Sequence, residues 1–261
     1  MELIKLKNKK MEVTLCDIGA SIFRLMFDGQ DMLVSPSGVN VFLRKNLYFG
    51  KTIGRICGRI KNDNGEIILH GGRDGLSNQK FDYVESSNKV TFTYMSVADQ
   101  SSQDGRAIIK VIYSLLDSGL LIEFEVTAID SATISLTNHS YFCLGEDNNE
   151  ALSIKMDSDK CFVYDEKLYP LGTNQIGNKF DFRNEYPVRQ YGDVDTYFFI
   201  KEKPIILRGN RYLLEIDTNY EGAVVYTDNF EDDAETFASK RHKYRGVAIE
   251  PQMDAFKSIR Q

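Results

Sequence analysis

Along this chain apolar and polar residues alternate with a period of two far more often than with the period of a helix. Val90-Thr91-Phe92-Thr93-Tyr94 and Ile122-Glu123-Phe124-Glu125-Val126-Thr127-Ala128 show the pattern clearly. Successive side chains of a strand point to opposite faces, so the alternation predicts strands with one face buried and the other in water. Asp117-Ser118-Gly119, between the apolar-rich stretches 108–116 and 120–129, predicts a hairpin turn, and Gly209-Asn210, between 205–207 and 212–216, predicts a second. Helical spacing is nowhere sustained; residues 232–242 read as either a short helix or an exposed loop. The expected class is all-β, with two large antiparallel sheets packed face to face. The 16 Phe and 14 Tyr fill the core and line a concave face.

At 261 residues the chain is long enough for a substantial core. No linker-like tract or composition shift divides it, and the 5 prolines are scattered, so a single domain over 1–261 is expected. The formal charge of −6 comes from interspersed acids and bases, which disfavours a nucleic-acid or anionic-membrane partner. The first ten residues lack the apolar stretch of a signal peptide and no later run is long enough to span a bilayer, so a soluble cytoplasmic protein, monomeric or homodimeric, is expected. Cys16, Cys57, Cys143 and Cys161 are widely spaced with no histidine at ligand spacing. Reduced thiols and no metal site follow from that spacing.

Histidine changes the picture most. The chain has only 3, and two sit in specific frames, Leu69-His70-Gly71-Gly72 and Asn138-His139-Ser140-Tyr141-Phe142. Histidine exchanges protons near neutrality, which makes His70 and His139 the first candidates for acid–base chemistry. Gly246-Val247-Ala248-Ile249-Glu250-Pro251-Gln252 adds a carboxylate at the end of an apolar run, where partial desolvation suits a general base, and Pro251 biases Glu250 towards an extended backbone.

These frames, with Tyr48-Phe49-Gly50-Lys51-Thr52-Ile53-Gly54-Arg55, Asp181-Phe182-Arg183, Gly192-Asp193-Val194-Asp195 and Tyr226-Thr227-Asp228-Asn229-Phe230, resemble the aldose 1-epimerase (galactose mutarotase) family over nearly the whole chain. The resemblance implies a large galactose mutarotase-like β-sandwich and an isomerase that interconverts the α and β anomers of a free aldohexose, galactose or glucose, without a cofactor. By the same resemblance Glu250 matches the catalytic base and His139 the acid, while His70, Arg59 and Asp195 match positions that hold the sugar. Arg55 and Asp193 are rival assignments for the last two.

Several positions depart from the family pattern. Gly58 stands where asparagine is common, Cys143 replaces an asparagine, Val225 stands where glutamine is common, and Met253-Asp254-Ala255-Phe256 shortens the usual ending. There is no tryptophan, and whether Phe81 supplies the ring that stacks on a sugar is open. The alternatives are an epimerase for hexose 6-phosphates, for which Arg55, Arg59 and Arg73 would supply cations, and a sugar-binding module without turnover. Glycoside hydrolysis fits less well, since it needs paired carboxylates.

Overall fold

The computed structural model describes residues 1–44, 47–62, 64–97, 105–177, 180–231, 241–254 and the backbone of 259–260. Most of the ordered elements are strands. Among the described residues helix is limited to one turn, Val39–Phe42, and three 3-10 turns. Of the segment 232–242, only 241 and 242 lie within the described residues. The chain groups into two compact units, each assembled from separated stretches: 1–30, 42–139 and 255–261 in the first, 31–41 and 140–254 in the second.

In the first unit Leu3–Lys7, Met11–Cys16 and Ser21–Phe27 pair antiparallel in order. A second sheet joins Asp82–Ser86, Lys89–Ser96, Ala107–Leu115 and Leu120–Ala128, again antiparallel neighbours. The alternation works as expected here. Ala107, Ile109, Val111, Tyr113 and Leu115 all fall on the buried face, opposite Val90 and Phe92 of the next strand. The expected turn closes with the Leu116 N–H donating to the Gly119 carbonyl at 2.9 Å. Two short pairs complete the unit's contribution to the site: Thr52–Ile53 with Thr137–Asn138, and Arg59–Lys61 with Ile67–Leu69.

The second unit contains a six-stranded antiparallel sheet in the order Tyr141–Phe142, Val247–Gln252, Gly222–Tyr226, Asp195–Phe199, Lys160–Tyr164 and Pro170–Gln175. A four-stranded sheet runs Tyr186–Pro187, Ser153–Asp157, Glu202–Arg208 and Leu213–Ile216. Its last hairpin is the second one read from the sequence. The Glu146 carboxylate fixes that turn by accepting the Asn210 backbone N–H at 2.7 Å and its amide at 2.8 Å.

Bulges interrupt the ladders at Thr14/Leu15, Lys155/Asp157 and Val163/Tyr164. The strands stay paired on both sides of each bulge; by hydrogen bonding they form several sheets and short pairs, where alternation alone predicted two large sheets. All four cysteines are buried free thiols. Among the described residues no helix is long and apolar enough to cross a membrane.

Candidate active site

His139 directly follows the Thr137–Asn138 strand and is fixed through its backbone. Its N–H donates to the Lys51 carbonyl at 2.9 Å and its carbonyl accepts the Gly50 N–H at 2.9 Å. Gly50 has φ +69° and a Cβ there would lie 1.9 Å from the Ile22 carbonyl oxygen, so only glycine lets the two segments approach. Behind this bridge the Asn138 amide donates to the Gly50 carbonyl at 3.0 Å and to the Tyr113 hydroxyl at 3.2 Å. Tyr113 in turn donates to the Ala20 carbonyl at 2.6 Å. Burial pushes the Tyr113 phenol well above its usual range, so it stays a donor.

His70 closes the strand Ile67–Leu69. Its N–H donates to the Gly58 carbonyl at 2.9 Å, and the Gly58 N–H donates back to the His70 Nδ1 at 3.2 Å. A backbone N–H can bond that nitrogen only when the nitrogen carries no proton, so His70 is neutral with its proton on Nε2. His70, Gly71 and Gly72 all have positive φ, at 56°, 80° and 69°. Histidine is among the few non-glycine residues found there and the two glycines adopt it without strain, which is the physical content of the His-Gly-Gly frame.

The two imidazole rings meet edge to face, with centroids 5.3 Å apart at 83°. Both are buried, His70 at 7% and His139 at 4% exposure. Desolvation pushes the His139 imidazole down to about 3. The His70 imidazole is held well below its usual range, first by desolvation and then by the charges of His139 and Arg59. Tyr48 packs its ring against both.

Arg59 begins its strand directly after Gly58, opposite Leu69, and is half-buried. The rival Arg55 is fully buried, and its guanidinium donates to the Val97 carbonyl at 2.8 Å and the Gly105 carbonyl at 2.7 Å.

In the second unit Glu250 is 2% exposed. It lies inside the strand Val247–Gln252, with the extended backbone that Pro251 favours. The proline is tolerated because the neighbour Tyr141–Phe142 pairs only with Ala248 and Val247, leaving Pro251 at a local edge. Glu250 pairs with Val224, which pairs with Tyr197; one row along, Ala248 pairs with Tyr226 and Tyr226 with Asp195. Side chains alternate along each strand, so Glu250 and Asp195 share one face of this sheet with Tyr226, Val224 and Tyr197. Gly222 makes room in that layer, since a Cβ there would meet the Tyr197 ring at 2.3 Å.

The other candidate positions fall as follows. Asp193, the rival of Asp195, is exposed; it accepts the Tyr244 hydroxyl at 3.1 Å and pairs with Arg189 at 3.5 Å. Val225 is fully buried on the opposite face, so Val224, not Val225, is the residue beside Glu250. Phe81 is 1% exposed and packs on Tyr94 at 5.2 Å, so it has no open face for a sugar. Of the shortened ending, residues 255 and 256 lie outside the described residues.

The fold thus gathers His70, His139, Tyr48 and Arg59 in the first unit and sets Glu250 and Asp195 on one face in the second. Sequence reasoning did not select Tyr48 or the Gly58 N–H. Tyr48 stood inside the Tyr-Phe-Gly frame, but nothing local to it signals contact with rings 22 and 91 residues away.

The fold is one already seen in solved structures. A GalM/aldose epimerase homologue from C. elegans superposes with TM-score 0.89 over 99% of this chain and 91% of that one, at 25% identity. A galactose 1-epimerase from Lactobacillus acidophilus superposes with TM-score 0.84 over 96% and 85%, at 23% identity. The galactose mutarotase of Bos taurus is 27% identical over 269 residues, 89% of this chain and 79% of its own length. These define an all-β, mutarotase-like isomerase fold. The family profile described as aldose 1-epimerase matches residues 2–256, and the chain belongs to that family.

Proposed function

We propose that this protein interconverts the α and β anomers of a free aldohexose, galactose or glucose, by acid–base ring opening. In this reading the Glu250 carboxylate takes the proton of the C1 hydroxyl while His139, as the general acid, gives one to the ring oxygen. The C1–O5 bond breaks and C1 becomes the aldehyde carbon. Rotation about C1–C2 presents the other carbonyl face, O5 attacks it, and the two protons return. Atoms and charge balance with no external reagent.

The observation that carries this reading is the placement of Glu250 and Asp195 on one sheet face, two strands and one same-face row apart: a carboxylate for proton transfer on the same face as a carboxylate able to accept sugar hydroxyls. Neutral His70, with its Nε2–H, suits a hydrogen bond to a sugar oxygen. Arg59 supplies a multi-point donor next to it. Family membership supports the reaction class, and galactose is the sugar named for the Bos taurus relative.

The direct experiment is polarimetry of freshly dissolved α-galactose and α-glucose, and of their 6-phosphates, with and without the protein. Acceleration of the free sugars is the expected result. Acceleration confined to the phosphates would replace this reading with the hexose-phosphate one, and binding without acceleration would replace it with a binding module.

A further inference from the structure

Tyr48 is half-buried, and its ring touches both site imidazoles. It lies edge-on to His70, with centroids 4.8 Å apart at 66°, and stacks on His139 at 5.8 Å and 22°. With the two imidazoles 5.3 Å from each other, the three rings form a closed triangle. The Tyr48 carbonyl accepts the Lys51 N–H at 3.0 Å, making a turn that runs straight into Thr52–Ile53. The same stretch of chain that places the Tyr48 ring therefore carries the Lys51 carbonyl that holds the His139 N–H.

We propose that Tyr48 is a positioning residue for this histidine pair, its ring packed against both imidazoles to shield them from water and to hold His139 at the tilt from which it moves its proton. An uncharged ring against an imidazole favours the neutral form by excluding solvent. The depressed ionisation of both imidazoles agrees with such cover. Within this unit the charged group acting on Tyr48 is Arg59, and those acting on His70 are Arg59 and His139. The ring, not the hydroxyl, is the working part. The inference rests on the proposed reaction in one respect, that His139 transfers a proton.

The test follows the ring nitrogens of 15N-labelled histidine in the full-length protein as pH is varied; with only 3 histidines, each is assigned by substitution. Tyr48→Phe keeps the ring and should leave the His139 titration and kcat within about twofold of the parent. Tyr48→Ala uncovers the imidazole, so His139 should titrate at higher pH by a unit or more and kcat should fall roughly tenfold with KM little changed, the scale of an impaired proton transfer. An unchanged His139 titration in folded Tyr48→Ala, or an equal shift in Tyr48→Phe, would overturn the proposal. If the alanine variant does not fold, the parent protein decides: nuclear Overhauser contacts from the Tyr48 ring to the carbon-bound protons of both imidazoles sustain the triangle, and their absence overturns it. The titration needs no sugar. A parent protein that turns over no aldose would sink the proposed reaction while leaving the Tyr48 result standing.

Discussion

Gly58 and His70 hold each other by two hydrogen bonds, the His70 N–H to the Gly58 carbonyl at 2.9 Å and the Gly58 N–H to the His70 Nδ1 at 3.2 Å. Gly58 has φ +82°, a conformation that a larger residue adopts only with strain. Glycine at this position therefore sets the tautomer of a site histidine through the main chain alone. His70 is left with one role, donation through Nε2–H.

Both buried histidines should destabilise the protein in acid. Each folded-state value lies below the ordinary one near 6.5, so the unfolded chain binds more protons once the pH falls under that value. Stability should decline as pH falls below about 6.5, by roughly 1.4 kcal/mol per pH unit for each histidine while it is held neutral, the His139 share extending down to about pH 3. Urea unfolding of the parent, His70→Gln and His139→Asn across this range checks the sign. Each variant should lose one histidine's share of the slope, and a variant with the parent's full slope would show that its imidazole is not held neutral.

Lys51 should cost stability at neutral pH. It is fully buried, with its ammonium 3.5 Å from the Arg44 carbonyl and 5.1 Å from the centre of the Phe42 ring. Burial pushes the amine down to about 8. The unfolded chain keeps the proton up to its ordinary value near 10.5, so stability from this group rises with pH between those values. Lys51→Met should stabilise the protein by on the order of 1–3 kcal/mol below pH 8, with the gain vanishing above about pH 10.5. A constant gain at all pH values would attribute the effect to packing instead.

Glu250→Gln and His139→Asn should each reduce mutarotation by about a hundredfold or more while leaving sugar binding measurable, because each keeps a polar shape and removes a proton-transfer group. In the parent, kcat/KM should be bell-shaped in pH. The acid form of His139 is lost as pH rises through a value that burial has lowered, so the alkaline limb should sit on the acid side of an ordinary histidine. A rate climbing steadily through neutrality, after subtraction of the uncatalysed reaction, would contradict the assignment.

Asp195→Asn and Arg59→Ala should act on sugar positioning. A carboxylate that accepts particular hydroxyls penalises an epimer by roughly 1–3 kcal/mol per unmet contact, so the ratio of kcat/KM for galactose and glucose should change in both variants and stay constant in His139→Asn. Equal losses for both sugars would remove these residues from specificity.

The strands were legible because alternation is a local property: each residue of Ala107–Leu115 takes the face its neighbours dictate. The two-unit grouping was not, because the chain passes between units at 30/31, 41/42, 139/140 and 254/255 with no change in composition there to mark it. The bulges were equally silent, since one extra residue in a ladder leaves no compositional trace.

By itself the sequence determined the all-β class and both hairpin turns and singled out His70, His139 and Glu250 as candidates, since turn residues, alternation and the scarcity of histidine are all written along the chain. Tertiary structure decided which neighbours those residues meet. It spent Arg55 on two interior carbonyls, buried Phe81, put Val224 rather than Val225 beside Glu250, and closed the Tyr48–His70–His139 triangle. The physical reason is that burial, ring contact and cross-strand register depend on segments distant in sequence, and a local pattern fixes the face a side chain takes without fixing what lies against it.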